Sequence, residues 1–244
     1  MADALAIVLA AGKGTRMKSE LPKVLVPVLG RPMVEYVLDT LDQAGVEKTV
    51  VVIGYRAELV RESLAHRSNL RYAEQKEQLG TGHAVMMCRE YLSAHDGPVV
   101  ILAGDSPMIQ ARSIKELLAA YERDRPACIL GTAHKANPAG LGRIVRDANG
   151  TFQGIVEEKD ATEEQRKITE VNLSCYLFDA QKLLAALDQV RNDNKQQEYY
   201  LTDCPGILLA QGENVQALPI LSDRETLSIN NMEELAIVEA ALRT

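Results

Sequence analysis

The chain has no tryptophan and only two phenylalanines among 244 residues, so its core must be built from aliphatic side chains. Valine, isoleucine and leucine without large rings suit strands buried on both faces of a parallel sheet. Cysteine is also sparse: Cys88, Cys128, Cys175 and Cys204 are far apart, with no C-x-x-C pair. Such dispersed cysteines do not make a disulfide scaffold, and the expectation is reduced, mostly buried thiols in a cytoplasmic protein. His66, His83, His95 and His134 lack the spacing of a zinc site. No apolar run approaches the roughly 18 residues of a membrane span. The opening MADALAIVLAAG carries Asp3 and no basic segment ahead of its apolar run, and reads as a first buried strand rather than a secretory leader. Positive charge is short overall: 27 Lys and Arg against 34 Asp and Glu leave a net charge of −7. That balance argues against nonspecific binding to nucleic acid or a membrane surface, while a small anionic ligand needs only a local patch.

What is present is an alternation of strand and helix. Apolar runs recur at 4–10, 48–54, 97–104 and 127–133. After Pro32, the residues Val34, Val37, Leu38 and Leu41 follow helical spacing, and Gly45 supplies a stop; Ile114, Leu117, Leu118 and Tyr121 repeat the spacing. This predicts a three-layer α/β fold of Rossmann-like kind with a mostly parallel, mixed sheet. The pattern changes after residue 140. GRIVRDANGTFQGIVEE reads as two strands around Ala148-Asn149-Gly150, and EVNLSCYLFD (170–179) as a further strand. Helices are expected near 180–188, 199–210 and 231–242, with a short strand near 214–220. No flexible linker and no 20–50-residue repeat interrupts the chain. The expectation is a single domain over 1–244: a nucleotide lobe over about 1–135, a ligand-covering lobe over about 136–230 and a C-terminal helix over 231–244.

One loop breaks the acidic trend. Residues 12–23 carry Lys13, Arg16, Lys18 and Lys23 against Glu20 alone, a local charge of +3. A glycine-bearing loop after a buried strand lies where open α/β sheets bind ligands, and Gly12 and Gly14 permit close backbone approach to an anion. A plain βα turn with solvated charges fits the spacing equally. Neither a dinucleotide fingerprint nor a P-loop is present, because Met17 and Thr15 stand where those motifs need glycine and lysine.

The complete string LAAGKGTRMKSELPKVL (9–25) resembles the L-A-A-G-x-G-T-R-M-x-x-x-x-P-K signature of the sugar-1-phosphate nucleotidyltransferases. More closely, it looks like the pyrophosphorylase domain of bacterial N-acetylglucosamine-1-phosphate uridylyltransferases. The resemblance implies that Leu9, Ala10, Ala11 and Gly12 bracket the nucleobase and ribose, and that Arg16 and Lys23 reach the triphosphate as catalytic cations. AEQKEQLGTGHAVMM (73–87) resembles the family's uracil-reading segment, which would place Gln75, Gly80 and Thr81 on the base; taken locally it is a helix N-terminus. ILAGDSPMI (101–109) resembles the G-D-x-P motif, implying Asp105 as a Mg²⁺ ligand and Gly104 beside the sugar, where local reading gives a turn or cap. The family's second metal ligand would be Asn230 of SINNMEEL.

Later blocks imply the sugar site. AGLGRIVRD places Gly140 there, GIVEEKDAT places Glu157 there with Lys159 near phosphate, and EVNLSCYLFD contributes Asn172. Locally, Glu157 and Glu158 read as a solvated strand end and Asn172 as a solvent-facing polar group. The chain departs from the pattern at Ala103 for Tyr, Leu173-Ser174 for Thr-Gly, Gln197 for Gly and Ser228 for Gly.

Taken together, the resemblance spans 5–235 and implies UTP and N-acetylglucosamine 1-phosphate as substrates and Mg²⁺ as cofactor, with UDP-N-acetylglucosamine and pyrophosphate as products. Another sugar 1-phosphate, dTTP, or a non-catalytic nucleotide-sugar sensor are the alternatives. Many such uridylyltransferases continue into a left-handed β-helix acetyltransferase. These 244 residues contain no hexapeptide repeats, so acetyl transfer is not expected of them and no oligomeric state is implied.

Overall fold

The computed structural model describes residues 3–17 and 19–243; Lys18 of the cationic loop lies outside them. In chain order the strands are β1 (Leu5–Ala10), β2 (Pro27–Val28), β3 (Arg31–Pro32), β4 (Lys48–Ile53), β5 (Leu70–Glu74), β6 (Pro98–Ala103), β7 (Cys128–His134), β8 (Gly142–Arg146), β9 (Phe152–Val156), β10 (Glu170–Asp179) and β11 (Val215–Leu218). The helices are α1 (Met33–Ala44), α2 (Ala57–Ser63), α3 (Thr81–Met86), α4 (Arg89–Ser93), α5 (Ala111–Asp124), α6 (Glu163–Arg166), α7 (Ala180–Leu187), α8 (Cys204–Ala210) and α9 (Met232–Leu242). Short 3₁₀ turns lie at Thr15–Met17, Lys23–Leu25, Leu201–Asp203 and Asp223–Thr226.

The main sheet has the order β11-β7-β10-β6-β1-β4-β5, with the β8–β9 hairpin attached to the start of β10. Strands β6, β1, β4 and β5 are parallel, as are β7 and β11, whereas β10 is antiparallel to both its neighbours. This is the mixed, mostly parallel three-layer sheet expected. Its layers follow from alternation along β1. Ala6, Val8 and Ala10 enter one core with Val34, Leu38 and Leu41 of α1 and Ile114 and Leu117 of α5. Leu5 and Ile7 enter the other with Val85 of α3, Leu92 of α4, Leu183 of α7 and Leu208 of α8. Helix α1 starts after Pro32 and ends on Gly45 at φ 82°, as its sequence requires.

Strand β5 was not expected. Its LRYAE sequence is short, and Arg71 and Glu74 are exposed. The helix expected over 199–210 is confined to Cys204–Ala210, because Tyr199 is held by backbone bonds to Leu79 and Gly82 instead. All four cysteines are buried and free. No helix among the described residues is long and apolar enough to cross a membrane.

A third apolar cluster fixes the site. Met17, Val26, Val28, Met33, Met108, Ile229, Leu235 and Val238 pack together beside the carboxyl edge of β1 and β6. Met17 adjoins Arg16, Met108 follows Asp105 by three residues, and Ile229 adjoins Asn230. Burial of these chains draws three segments, separated by as many as 214 residues, into one corner.

Candidate active site at the carboxyl edge of the sheet

Strands β1, β4, β5 and β6 run parallel, so the loops after Ala10, Ile53, Glu74 and Ala103 open on one edge. Gly14 shapes the first of them. It holds φ 67°, and a Cβ added there would stand 2.6 Å from the Cβ of Lys23. Only glycine lets the two ends of this loop touch. The contact aims Lys23 at the sheet edge, where its ammonium donates to the Asp105 carboxylate and, at 2.9 Å, to Asn230 Oδ1. Arg16 Nη2 donates to the same Asn230 oxygen at 3.0 Å. Of the other loop cations, Lys13 stands 5.3 Å over the Tyr55 ring.

Two cavities meet at this corner. The first, of about 360 Å³, is lined by Leu9, Ala11, Gly12 and Lys23 of the opening loop and by Gln75, Gly80 and Thr81. The second, of about 300 Å³, is lined by Arg16, Gly140, Asn172 and Asn230. Ala103, Asp105 and Ser174 belong to the walls of both. Ala10, Gly104 and Glu157 line neither. Ala10 is packed in the core, and Gly104 donates its N–H to the Leu9 carbonyl, where an added Cβ would stand 3.1 Å from Val24.

In the first cavity, Gln75 is buried and its Nε2 lies 3.0 Å from Gly80 O and 3.1 Å from the His83 ring. Gly80 sits at φ 107°, and a Cβ there would meet Tyr199 O at 2.5 Å. Thr81 does not cap its helix; its hydroxyl accepts from Leu201 N at 3.0 Å. The 194–201 segment is thereby tied to the 79–82 turn.

The region around β8, β9 and β10 corrects two local readings. Asn172 is 6% exposed rather than solvent-facing: its Nδ2 donates to Tyr176 at 2.6 Å and its Oδ1 accepts from Ser174 N at 3.3 Å. Of the expected solvated pair, Glu157 is largely buried, whereas Glu158 stays about one-third exposed. Burial raises the Glu157 carboxyl above its ordinary range, against a 3.0 Å bond from the Thr202 hydroxyl. Glu158 is held below its range by Arg143, and the same oxygen accepts from Gly140 N at 3.2 Å. Lys159 bonds to Gln196.

Sequence reading missed three features. Ser174 holds φ 53° in the bulge of β10, between Asn172 and Tyr176. Arg143 is a fully buried cation of β8. Glu234 bonds to Asn230, and the signal for it was Asn231 with glutamate three residues on, a helix-start pattern.

As a metal donor set, Asp105 and Asn230 offer one carboxylate oxygen and one amide oxygen, both within reach of the single Lys23 ammonium. Magnesium takes such hard oxygens, one or two from protein with phosphates and water completing the shell, so these residues fit it.

A parallel sheet with a glycine-shaped cationic loop at its switch edge, facing a carboxylate across two joined cavities, defines a nucleotide-binding α/β protein built to handle phosphates. The chain belongs to the family described as MobA-like NTP transferase domain, which matches residues 6–201. It is 45% identical over 243 residues to the bifunctional protein GlmU of Geobacillus sp. (strain WCH70), covering 100% of this chain and 52% of the relative. It is 44% identical over 243 residues to that of Streptococcus suis (strain 98HAH33), again with 100% and 52% covered. The chain thus spans about half the length of the curated relatives it matches. Two solved structures share the fold. A putative glucose-1-phosphate thymidylyltransferase from Bacillus anthracis has a TM-score of 0.82 at 17% identity, covering 98% of this chain and 95% of that one. A UDP-glucose pyrophosphorylase complexed with UDP-glucose has a TM-score of 0.78 at 18% identity, covering 98% of both.

Proposed function

We propose that the chain joins UTP and N-acetylglucosamine 1-phosphate into UDP-N-acetylglucosamine, with release of pyrophosphate. The observation that carries this reading is the convergence of Arg16, Lys23, Asp105 and Asn230 where the two cavities meet. The nucleoside occupies the first cavity. Leu9, Ala11 and Gly12 bracket it, with Ala10 packed behind them in the core, and Gln75, Gly80 and Thr81 face the base, with Gln75 Oε1 left for an imide N–H. The sugar phosphate occupies the second, beside Gly140 and Asn172, with Gly104 packed against Leu9 and Glu157 bonded to Thr202 outside its walls.

The phosphate oxygen of the sugar phosphate is already an anionic nucleophile, so no general base is required. Attack on the α-phosphorus spreads charge over its equatorial oxygens and frees pyrophosphate. Lys23 as a point charge and Arg16 as a planar fork neutralise those oxygens while fixing them in line. Magnesium held by Asp105 and Asn230 would add charge neutralisation at the triphosphate.

Pyrophosphate release from the purified protein with Mg²⁺, UTP or dTTP, and a panel of sugar 1-phosphates tests the reading. Fastest turnover is expected with UTP and N-acetylglucosamine 1-phosphate. Preference for another pair would establish the second reading, a different sugar 1-phosphate or dTTP, which the residues Ala103 and Ser174 in the shared wall support. Binding without turnover of any pair would establish a sensor.

A further inference from the structure

Asn230 presents one end of its amide to the cation corner, and Glu234 decides which end. Asn230 Nδ2 lies 3.0 Å from Glu234 Oε2 and 3.3 Å from Ser228 Oγ, while the Asn230 backbone N–H donates to the same Glu234 oxygen at 2.7 Å. A carboxylate only accepts, so the amide nitrogen faces Glu234 and Oδ1 faces Arg16 and Lys23. The reverse orientation would set N–H groups against two cations and an oxygen against a carboxylate.

We propose that Glu234 is a positioning residue that holds the Asn230 carboxamide with its oxygen aimed at whichever cation fills the corner: Arg16 and Lys23 in the free protein, a divalent ion in the nucleotide complex. The second half rests on the function proposed above. Helix capping alone does not account for the contact. Asn231 caps α9 by accepting from Glu234 N at 2.9 Å. In the ordinary reciprocal box, the glutamate returns to the N–H of the capping residue itself. Here Glu234 reaches one residue further back and takes the Asn230 side chain as well. Ile229 and Leu235, both buried in the third cluster, anchor the two ends of this turn independently of the carboxylate.

Glu234→Ala, Glu234→Gln and Asn230→Ala, each checked for an unchanged thermal melt, test the proposal by two readouts. The first needs no metal. The Asn230 side-chain NH₂ signal in a ¹H–¹⁵N spectrum, assigned by its loss in Asn230→Ala, is expected to move away from its carboxylate-bonded position in Glu234→Ala, where only Ser228 Oγ remains as acceptor. It should stay in place in Glu234→Gln, whose amide oxygen can accept both bonds. The second is Mn²⁺ affinity of the protein–UTP complex by electron paramagnetic resonance. It is expected to fall about 10–100-fold in Glu234→Ala, the usual effect of removing an outer partner of a metal ligand, and to recover in Glu234→Gln. An unmoved amide signal in Glu234→Ala overturns the positioning, and a moved signal with unchanged Mn²⁺ affinity overturns its consequence for the metal. Failure of the wild-type UTP complex to bind Mn²⁺ at all overturns the metal assignment itself, and the amide signal then decides the positioning alone.

Discussion

The β8–β9 region and the carboxyl edge of β1 and β6 hold the same kinds of charged side chain and use them oppositely. Around the hairpin, Arg143 is 1% exposed and donates to Glu158 and to the carbonyls of Leu141 and Arg166. Arg146 makes a two-pronged pair with Glu170 at 2.6 and 2.7 Å and donates to Ala217 O at 2.9 Å; Glu170 accepts from Thr132 as well. These charges tie the hairpin to β10 and β11. At the sheet edge, by contrast, one amide oxygen serves two cations, and the Lys23–Asp105 pair stands in the wall of an open cavity. Charges satisfied within the protein hold shape; charges that share too few partners beside a cavity are available to a ligand.

Substitutions can break this contrast. The largest effect is expected at the edge: Lys23→Ala or Arg16→Ala should lower kcat for pyrophosphate release about 10²–10³-fold, the scale for losing one preorganised donor, with little change in melting temperature. Wild-type turnover in either variant would remove the catalytic assignment. In the hairpin the sign of the pair of measurements reverses. Arg143→Met should cost about 3 kcal/mol in urea unfolding, because Glu158 and two carbonyls lose their donor. A smaller, pH-dependent effect is expected at Asp203, whose carboxyl is pushed up to about 6 by burial and by Glu157, Asp193 and Asp160. A folded-state value above the unfolded 3.8 means stability present at low pH and lost as pH rises through about 6. Asp203→Asn should therefore match wild type near pH 4 and exceed it at pH 7, by urea midpoints. The smallest effects are expected at Ser174 and Gln197, at φ 53° and 56°. Replacing either by glycine relieves left-handed strain and should raise stability by about 0.5–1 kcal/mol in thermal unfolding.

Much of this was legible in the chain. Buried strands β1, β4, β6 and β7 were visible as apolar runs, α1 and α5 by helical spacing, and the hairpin by Asn149-Gly150. Strand β5 was hidden because charged residues interrupt its five positions. At the site, the loop cations declared themselves by charge, but no spacing rule joins Asp105 to Asn230. That pairing came from family resemblance, and the third apolar cluster supplies its physical cause. Ser174 and Gln197 stand where the family pattern has glycine, and both keep the backbone conformation glycine favours. Arg143 was missed and Glu157 misjudged because sequence does not reveal which charges a hairpin will bury.

The bulge of β10 has a consequence for redesign. Ser174 lies in the wall of both chambers, with Leu173 beside it in the wall of the second, and both belong to a strand that does not carry Lys23, Asp105 or Asn230. Altering the side chains there reshapes the chambers while leaving Arg16, Lys23, Asp105 and Asn230 anchored on other elements. If the proposed function holds, the shape of the two chambers can be engineered at Leu173 and Ser174 without touching those anchors.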